Sequence, residues 1–189
     1  MTDNDELMYS QTLRKAADAG NADAQFDLGV CYEEGLNIKQ NYRLAAKYYK
    51  KAANQGHVDA QFNLALCYET GTGVEKDVAE AIKYYRLAAE QGDADALAAL
   101  GTCYINGNGV GKNLEKAFEC YRLSALQGND CGQYNLGVCY YNGESVPKDM
   151  EKAVYWFRLA ADQGYDAAIE ELAEIESGLY PWRDGEPCS

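Results

Sequence analysis

The chain has 189 residues, 47% of them hydrophobic, enough for one ordinary domain or one repeat array. Its formal net charge of −13 argues against nucleic acid, whose counterions are displaced by Lys and Arg clusters, and against anionic membrane surfaces. It favours a basic protein partner, and no stretch approaches the run of about 18 apolar residues that a membrane span requires.

The first residues, "MTDNDELMYS", are acidic and polar and lack the basic and apolar regions of a secretory signal, so a cytoplasmic location is expected. Gly20, Gly56, Gly92, Gly128 and Gly164 then recur every 36 residues and set a frame. Residues 5–20 read as an N-terminal half-repeat, a lone second helix with Asp5 at its cap position. Four full repeats follow, at 21–56, 57–92, 93–128 and 129–164. Within each, a first helix starts behind Asn21, Asp93 or Asn129, side chains that accept from free helical N–H groups; His57 replaces them in the second repeat. That helix stops at Gly35, Gly71, Gly107 or Gly143, where a left-handed residue can close it. A second helix starts behind Asn41, Asp77, Asn113 or Asp149 and ends at the next boundary glycine. Pro147 lies in the preceding loop, where it breaks nothing. Residues 165–176 are a final first helix that keeps Leu172 and Ile175. It also carries Glu170, Glu171 and Glu174, the polar outer face that an end repeat requires. A tail, 177–189, holds Tyr180, Trp182 and Cys188.

The invariant positions give the core. Numbering each repeat from 1, position 8 is Leu28, Leu64, Leu100 and Leu136, and position 12 is Tyr32, Tyr68, Tyr104 and Tyr140. Position 25 is always Ala, and position 29 is Tyr49, Tyr85, Tyr121 or Phe157. Position 11 holds Cys31, Cys67, Cys103 and Cys139. At 100° per residue, it falls on the same side as positions 4, 8 and 12, so these thiols read as small buried hydrophobes. Stacked helices lie about 10 Å apart, beyond the Cα separation of about 7 Å that a disulfide allows, so all four are expected to be reduced. Cys120 and Cys131 stand outside this register, so their spacing does not assign them to the core, and Cys188, in the tail, is expected to be exposed.

The pattern Ala–(x3)–Leu–Gly–(x2)–Tyr–(x2)–Gly–x–Gly–Val, followed by Ala, "YY", "AA" and "QG", resembles the Sel-one-like repeat, a tetratricopeptide-related family. The resemblance covers roughly residues 5–176. Departures are Ala65 at position 9, Gly132 at position 4, and the loops "LNIK" and "ESVP". It implies an all-α fold, a right-handed α/α solenoid superhelix that serves as a scaffold or adaptor between proteins. Some cysteine-rich bacterial relatives are linked to penicillin binding, but they pair cysteines within a repeat, a pattern that the single position-11 cysteine does not match.

Other candidate chemistries have simpler readings. "GNGVGK" (Gly107–Lys112) has three residues between its glycine and "GK" where a phosphate-binding loop has four, and it occupies the ordinary inter-helix loop. The single histidine, His57, reads as a turn residue. Asp23, Asp59 and Asp95 recur near helix N-termini, where an acid suits the helix dipole. Lys50, Arg86, Arg122 and Arg158 form a solvated row, with Glu119 placed to pair with Arg122. No arrangement for nucleophilic or metal-assisted catalysis stands out, so neither a cofactor nor a metal is expected.

One feature exceeds the needs of a core. Positions 6, 10 and 13 of the first helix point roughly 150° from the core face at helical spacing. There the sequence places Phe26, Val30, Phe62, Leu66, Thr102, Ile105, Tyr134, Val138 and Tyr141, beside the acids Glu33 and Glu69. These eleven residues are the expected protein-binding groove, partly apolar with an acidic margin. The expected function is a non-enzymatic scaffold that holds a peptide or protein segment on its concave face, and the acidic charge favours a basic one. An acidic inhibitor or immunity protein that neutralises a toxin or enzyme is the alternative, and a β-lactam-binding or β-lactamase-like protein is a more distant one.

Overall fold

The computed structural model describes residues 3–177, with side chains from residue 11 onward. Among the described residues there are ten helices and no strand. They are α1 (Asp3–Asp18), α2 (Ala22–Glu34), α3 (Tyr42–Ala53), α4 (Val58–Thr70) and α5 (Val78–Glu90), then α6 (Ala94–Asn106), α7 (Leu114–Leu126), α8 (Asp130–Asn142), α9 (Met150–Asp162) and α10 (Asp166–Glu176). Even-numbered helices are the first helices of their repeats and odd-numbered ones the second. The chain divides into two compact units, residues 1–96 with 108–110, and residues 97–107 with 111–189.

The helix boundaries follow from side-chain caps. Asn21, Asn41, Asp77, Asn113, Asn129 and Asp149 each accept a backbone N–H two or three residues on. His57 does more than turn the chain, because its Nδ1 accepts from the Ala60 N–H at 3.3 Å and caps α4. Gly35, Gly71 and Gly143 close their helices in the left-handed conformation. The N-terminal half-repeat differs from expectation: α1 starts at Asp3, so Asp5 lies in its first turn and not at its cap.

In the first unit, α1 packs on α2, α2 on α3, α3 on α4 and α4 on α5. Position 8 (Leu28, Leu64), position 25 (Ala45, Ala81) and position 29 (Tyr49, Tyr85) are buried. The second unit repeats the arrangement around Leu136, Ala117, Ala153, Tyr121 and Phe157. Position 9 makes room for these aromatics. A Cβ on Gly29 would stand 2.6 Å from the Tyr49 ring, and one on Gly137 would stand 2.7 Å from Phe157. The glycine therefore lets two helices approach over a ring.

Position 17 fixes the loops. Gly73 and Gly109 have φ of 75° and 65°, and Asn37 and Ser145, in the divergent loops, hold the same left-handed backbone at 54° and 63°. A Cβ on Gly73 would lie 2.1 Å from the Tyr42 carbonyl, so this loop rests directly on the start of α3. Gly109, inside "GNGVGK", packs on Val78 and Ile82 in the same way. That loop serves as a brace.

Three of the four position-11 thiols, Cys67, Cys103 and Cys139, are buried, but Cys31 is only half-buried. All six described cysteines are unbridged. Cys120 is half-buried in the place that Tyr48 and Tyr84 fill in earlier repeats, and burial pushes its thiol up to about 11. Cys131 is also half-buried, and its sulfur accepts from the Asn135 amide at 3.3 Å. Cys188, Tyr180 and Trp182 lie outside the described residues.

Candidate protein-binding surface

The outward positions of the first helices are seated on the core aromatics. In the first unit Phe26 lies against Tyr49 at 5.8 Å between ring centroids and stacks on His57 at 4.6 Å. Phe62 lies against Tyr85 at 5.8 Å. In the second unit Tyr134 sits between Phe157, at 5.6 Å, and Tyr165, at 5.1 Å. Tyr141 approaches Phe157 from the other side at 6.4 Å. Each of these four is half-buried, as are Val30 and Val138, whereas Leu66 and Thr102 are exposed. The face predicted as a free groove is thus a row of rings with one side on the core and the other towards water.

The expected acidic margin is engaged within the repeats. Half-buried Glu33 accepts a short hydrogen bond from the hydroxyl of buried Tyr49, and Glu69 accepts from Tyr85 at 2.6 Å. These carboxylates anchor the core tyrosines. In the third repeat, Thr102 shares a 3.2 Å hydrogen bond with Tyr121. Ile105 packs against the cluster containing Leu136 and Cys139, so it belongs to the core boundary and not to an open groove. In the fourth repeat position 29 is Phe157, which has no hydroxyl, and position 13 is the aromatic Tyr141. The position-29 hydroxyl is thus met by Glu at position 13 in the first two repeats and by Thr at position 10 in the third, a relation that pattern reading along one helix misses.

Sequence reading also missed a set of buried amides. Gln25, Gln61 and Gln133 at position 5 are almost fully buried. Gln25 donates to the Ala17 carbonyl at 3.0 Å and Gln61 to the Ala53 carbonyl at 3.2 Å. Each position-5 oxygen accepts from the glutamine of the "QG" boundary in its own repeat: Gln55 at 2.8 Å, Gln91 at 2.8 Å and Gln163 at 2.9 Å. Gln91 and Gln163 also donate to the Gly56 and Gly128 carbonyls, which ties the repeat to its predecessor. Leu97 takes position 5 in the third repeat. The clue was the recurrence of Gln at both positions.

Further apolar exposure lies on the second helices, at Tyr42, Leu87, Leu123, Leu126 and Tyr155, which the sequence reading left unassigned. The cationic row has internal partners: Arg122 makes two hydrogen bonds to Glu119, at 2.8 and 2.6 Å, and Lys50 donates to the Tyr68 hydroxyl at 3.1 Å.

The repeat register, the caps and the shared core positions have a counterpart among known proteins. The family model of the Sel1 repeat matches residues 22–57, 58–93, 94–129 and 132–165. The chain belongs to the Sel1 repeat family. Among solved structures it is similar to c5321, a protective antigen present in uropathogenic Escherichia coli strains that displays an SLR fold. That match has 35% identity and a TM-score of 0.83, and covers 88% of this chain and 36% of that one. A Sel1 repeat protein from Oxalobacter formigenes matches with 38% identity and a TM-score of 0.75, over 79% of this chain and 61% of that one. Cysteine rich protein B of Helicobacter pylori matches with 28% identity and a TM-score of 0.54, over 66% of this chain and 95% of that one. The chain spans less than two thirds of the length of the first two relatives. No curated protein matches it. Sel1 repeats generally mediate protein–protein interaction and are typically non-enzymatic, and the all-α solenoid architecture of this chain is that of its structural relatives.

Proposed function

We propose that this Sel1 repeat chain is a non-enzymatic adaptor that binds a protein segment through the outward positions of its first helices. The observation that carries this reading is the set of half-exposed aromatics, Phe26, Phe62 and Tyr134, each packed at a tilt against a buried ring. An aromatic immobilised before binding loses little conformational entropy when a partner covers it, which is the property of an interface anchor. Leu66, exposed beside Phe62, and Val138, beside Tyr134, extend the apolar strip within each unit. The net charge of −13 favours a segment with basic residues around its apolar anchors.

The test is affinity capture from cells of the source organism with the wild-type chain and with Leu66→Asp and Val138→Asp. Both changes replace a side chain at the solvent side of the strip, so the melting curve is expected to stay nearly unchanged. A partner retained by wild type and lost by either variant, with binding that weakens as salt rises, is the expected result. A partner that binds both variants as tightly as wild type would move the site to the second-helix faces.

A further inference from the structure

Glu33 does more than hold the Tyr49 hydroxyl, because its carboxylate also stands in the wall of a cavity between α2 and α4. The cavity has a volume of about 220 Å³ and is lined by Glu33, Asn63, Leu66, Cys67, Thr70 and Thr72, all within the first unit. That is below the roughly 300–1,000 Å³ of a small-molecule site, so it has room for one long side chain. Two neighbours fix where the carboxylate lies. Asn63 stands beside the same tyrosine hydroxyl, and the acid acts electrostatically on the buried Cys67 thiol. Exposed Leu66 and Thr70 form the mouth.

The hydroxyl hydrogens around this cavity are already committed, and what remains is lone pairs. The Tyr49 hydroxyl donates to Glu33. Thr70 donates to the Leu66 carbonyl at 2.8 Å, so in its 2.8 Å contact with Thr72 the Thr72 hydroxyl is the donor. The Thr72 N–H also donates to Thr70 Oγ1, at 3.3 Å, which uses the second lone pair of that oxygen. Thr72 Oγ1 therefore offers lone pairs alone. An ionised carboxylate accepts at about four sites, of which the tyrosine takes one. Such a wall suits a donor-rich group of positive charge. An ammonium on an apolar stem is one, with three donors and no acceptor. In the second unit the residue at the position of Glu33 is Ile105, which packs on the cluster with Leu136 and Cys139, so the acid is missing there.

We propose that this cavity is a pocket for one lysine side chain of the protein segment held on the first helices. The ammonium donates to the Glu33 carboxylate and to Thr72 Oγ1, and the methylene stem lies along Leu66 and Cys67. Arginine suits it less, because its fork pairs with both oxygens of a carboxylate and one oxygen of Glu33 already serves Tyr49. Leu66 belongs to the pocket and to the apolar strip, so a segment lying on the strip brings its side chains to the mouth. The natural occupant thus rests on the adaptor reading, whereas the pocket can be tested without a partner.

The experiment titrates the full chain with Nα-acetyl-lysine N-methylamide at constant ionic strength, followed by amide and methyl NMR shifts. The Nε-acetylated form and the arginine counterpart are the controls. The lysine probe is expected to shift Leu66, Cys67, Thr70 and Thr72 saturably. The acetylated probe, which has no charge, is expected to leave them in place. Glu33→Gln keeps an acceptor for the Tyr49 hydroxyl and should weaken the probe by about tenfold, the order of one charge-assisted hydrogen bond. Thr72→Lys leaves the Glu33–Tyr49 bond intact and sets an ammonium at the mouth, so the probe should no longer shift Leu66 and Cys67. The lysine pocket is ruled out if both lysine probes act alike, if arginine binds more tightly, or if the shifts spread over the acidic surface without saturating. It is also ruled out if Glu33→Gln, melting as wild type does, binds as before. Should Glu33→Gln melt early, Thr72→Lys decides, and unchanged shifts in that variant reject the pocket. Val138→Asp lies in the other unit and tests the adaptor reading separately. Capture lost in that variant without lysine binding keeps the adaptor and removes the pocket, and lysine binding with normal capture does the reverse.

Discussion

Position 9 shows how one missing atom organises a repeat. Tyr49, Tyr121 and Phe157 occupy space that a Cβ on Gly29, Gly101 or Gly137 would take, each within 2.7 Å of the nearest ring atom. In the second repeat Ala65 is tolerated, with Tyr85 still buried and still bonded to Glu69. One methyl can therefore be absorbed by a shift of the ring, and a larger group cannot. Gly137→Ala is expected to lower stability by about 1 kcal/mol and Gly137→Val by about 3 kcal/mol, the range for overpacking, measured by urea unfolding. The buried thiols add a pH dependence. Burial pushes Cys67 up to about 11 and Cys139 up to about 12, from an ordinary value of 9.0. Both folded-state values are raised, so their contribution is complete below pH 9. From there upward the unfolded thiols ionise while the folded ones stay neutral, and stability falls as pH rises towards 11–12. Urea midpoints measured from pH 8 upward should decline beyond pH 9, and less steeply in Cys139→Ala. An identical slope in that variant would show that Cys139 does not drive the decline.

Elements are joined by the amides and the loops. Gln61 bonds both Ala53 and Gln91, so it links the second helix of one repeat to the first and second helices of the next. Gln61→Ala leaves a buried carbonyl and the Gln91 amide short of partners, and should lower stability by about 1–3 kcal/mol. A double-mutant cycle with Gln91→Ala should recover part of that loss, because the two changes remove one shared bond. At position 17 the loops share one backbone conformation with different residues. Ser145 holds φ 63°, which disfavours an L side chain by about 1–2 kcal/mol, partly offset by the greater unfolded-state freedom of glycine. Ser145→Gly is therefore expected to raise stability, by up to about 1 kcal/mol. Gly73→Ala is expected to be strongly destabilising, because its new methyl meets the Tyr42 carbonyl as well as the wrong φ.

At the scale of the whole molecule, α10 covers surface that the fourth repeat would otherwise expose. α10 packs on α9, with Ala168 fully buried and Tyr165 covering Tyr134. Truncation after Gly164 uncovers the fourth repeat, where each large apolar side chain contributes about 1.5–3 kcal/mol through burial. The shortened chain is expected to melt at lower temperature and to self-associate, as judged by calorimetry and sedimentation. An unchanged melting temperature in a monomeric product would mean that α10 is not a cap. The outer side of α10 carries Glu170 and Glu174, which suits exposure to water.

The sequence by itself determined the repeat length, the boundaries of the helices within the four repeats and most of the core. A 36-residue period fixes which residues face their neighbours, and local capping chemistry fixes where each helix starts and stops. For the same reason Leu28, Leu64, Ala45 and Tyr49 were legible as buried from spacing alone. The candidate surface was legible only in part. Helical spacing placed Phe26, Phe62 and Tyr134 away from the core stripe, but it carries no information about the height of a neighbouring helix. Only the tertiary structure decided that these rings rest on Tyr49, Tyr85 and Phe157, that Glu33 and Glu69 serve tyrosine hydroxyls, and that Ile105 closes a core. It also distinguished Cys31 from its three sequence equivalents. Spacing places all four thiols of this repeat position on the core side, yet three are buried and Cys31 is only half-buried. That depends on three-dimensional stacking, which no single helix encodes.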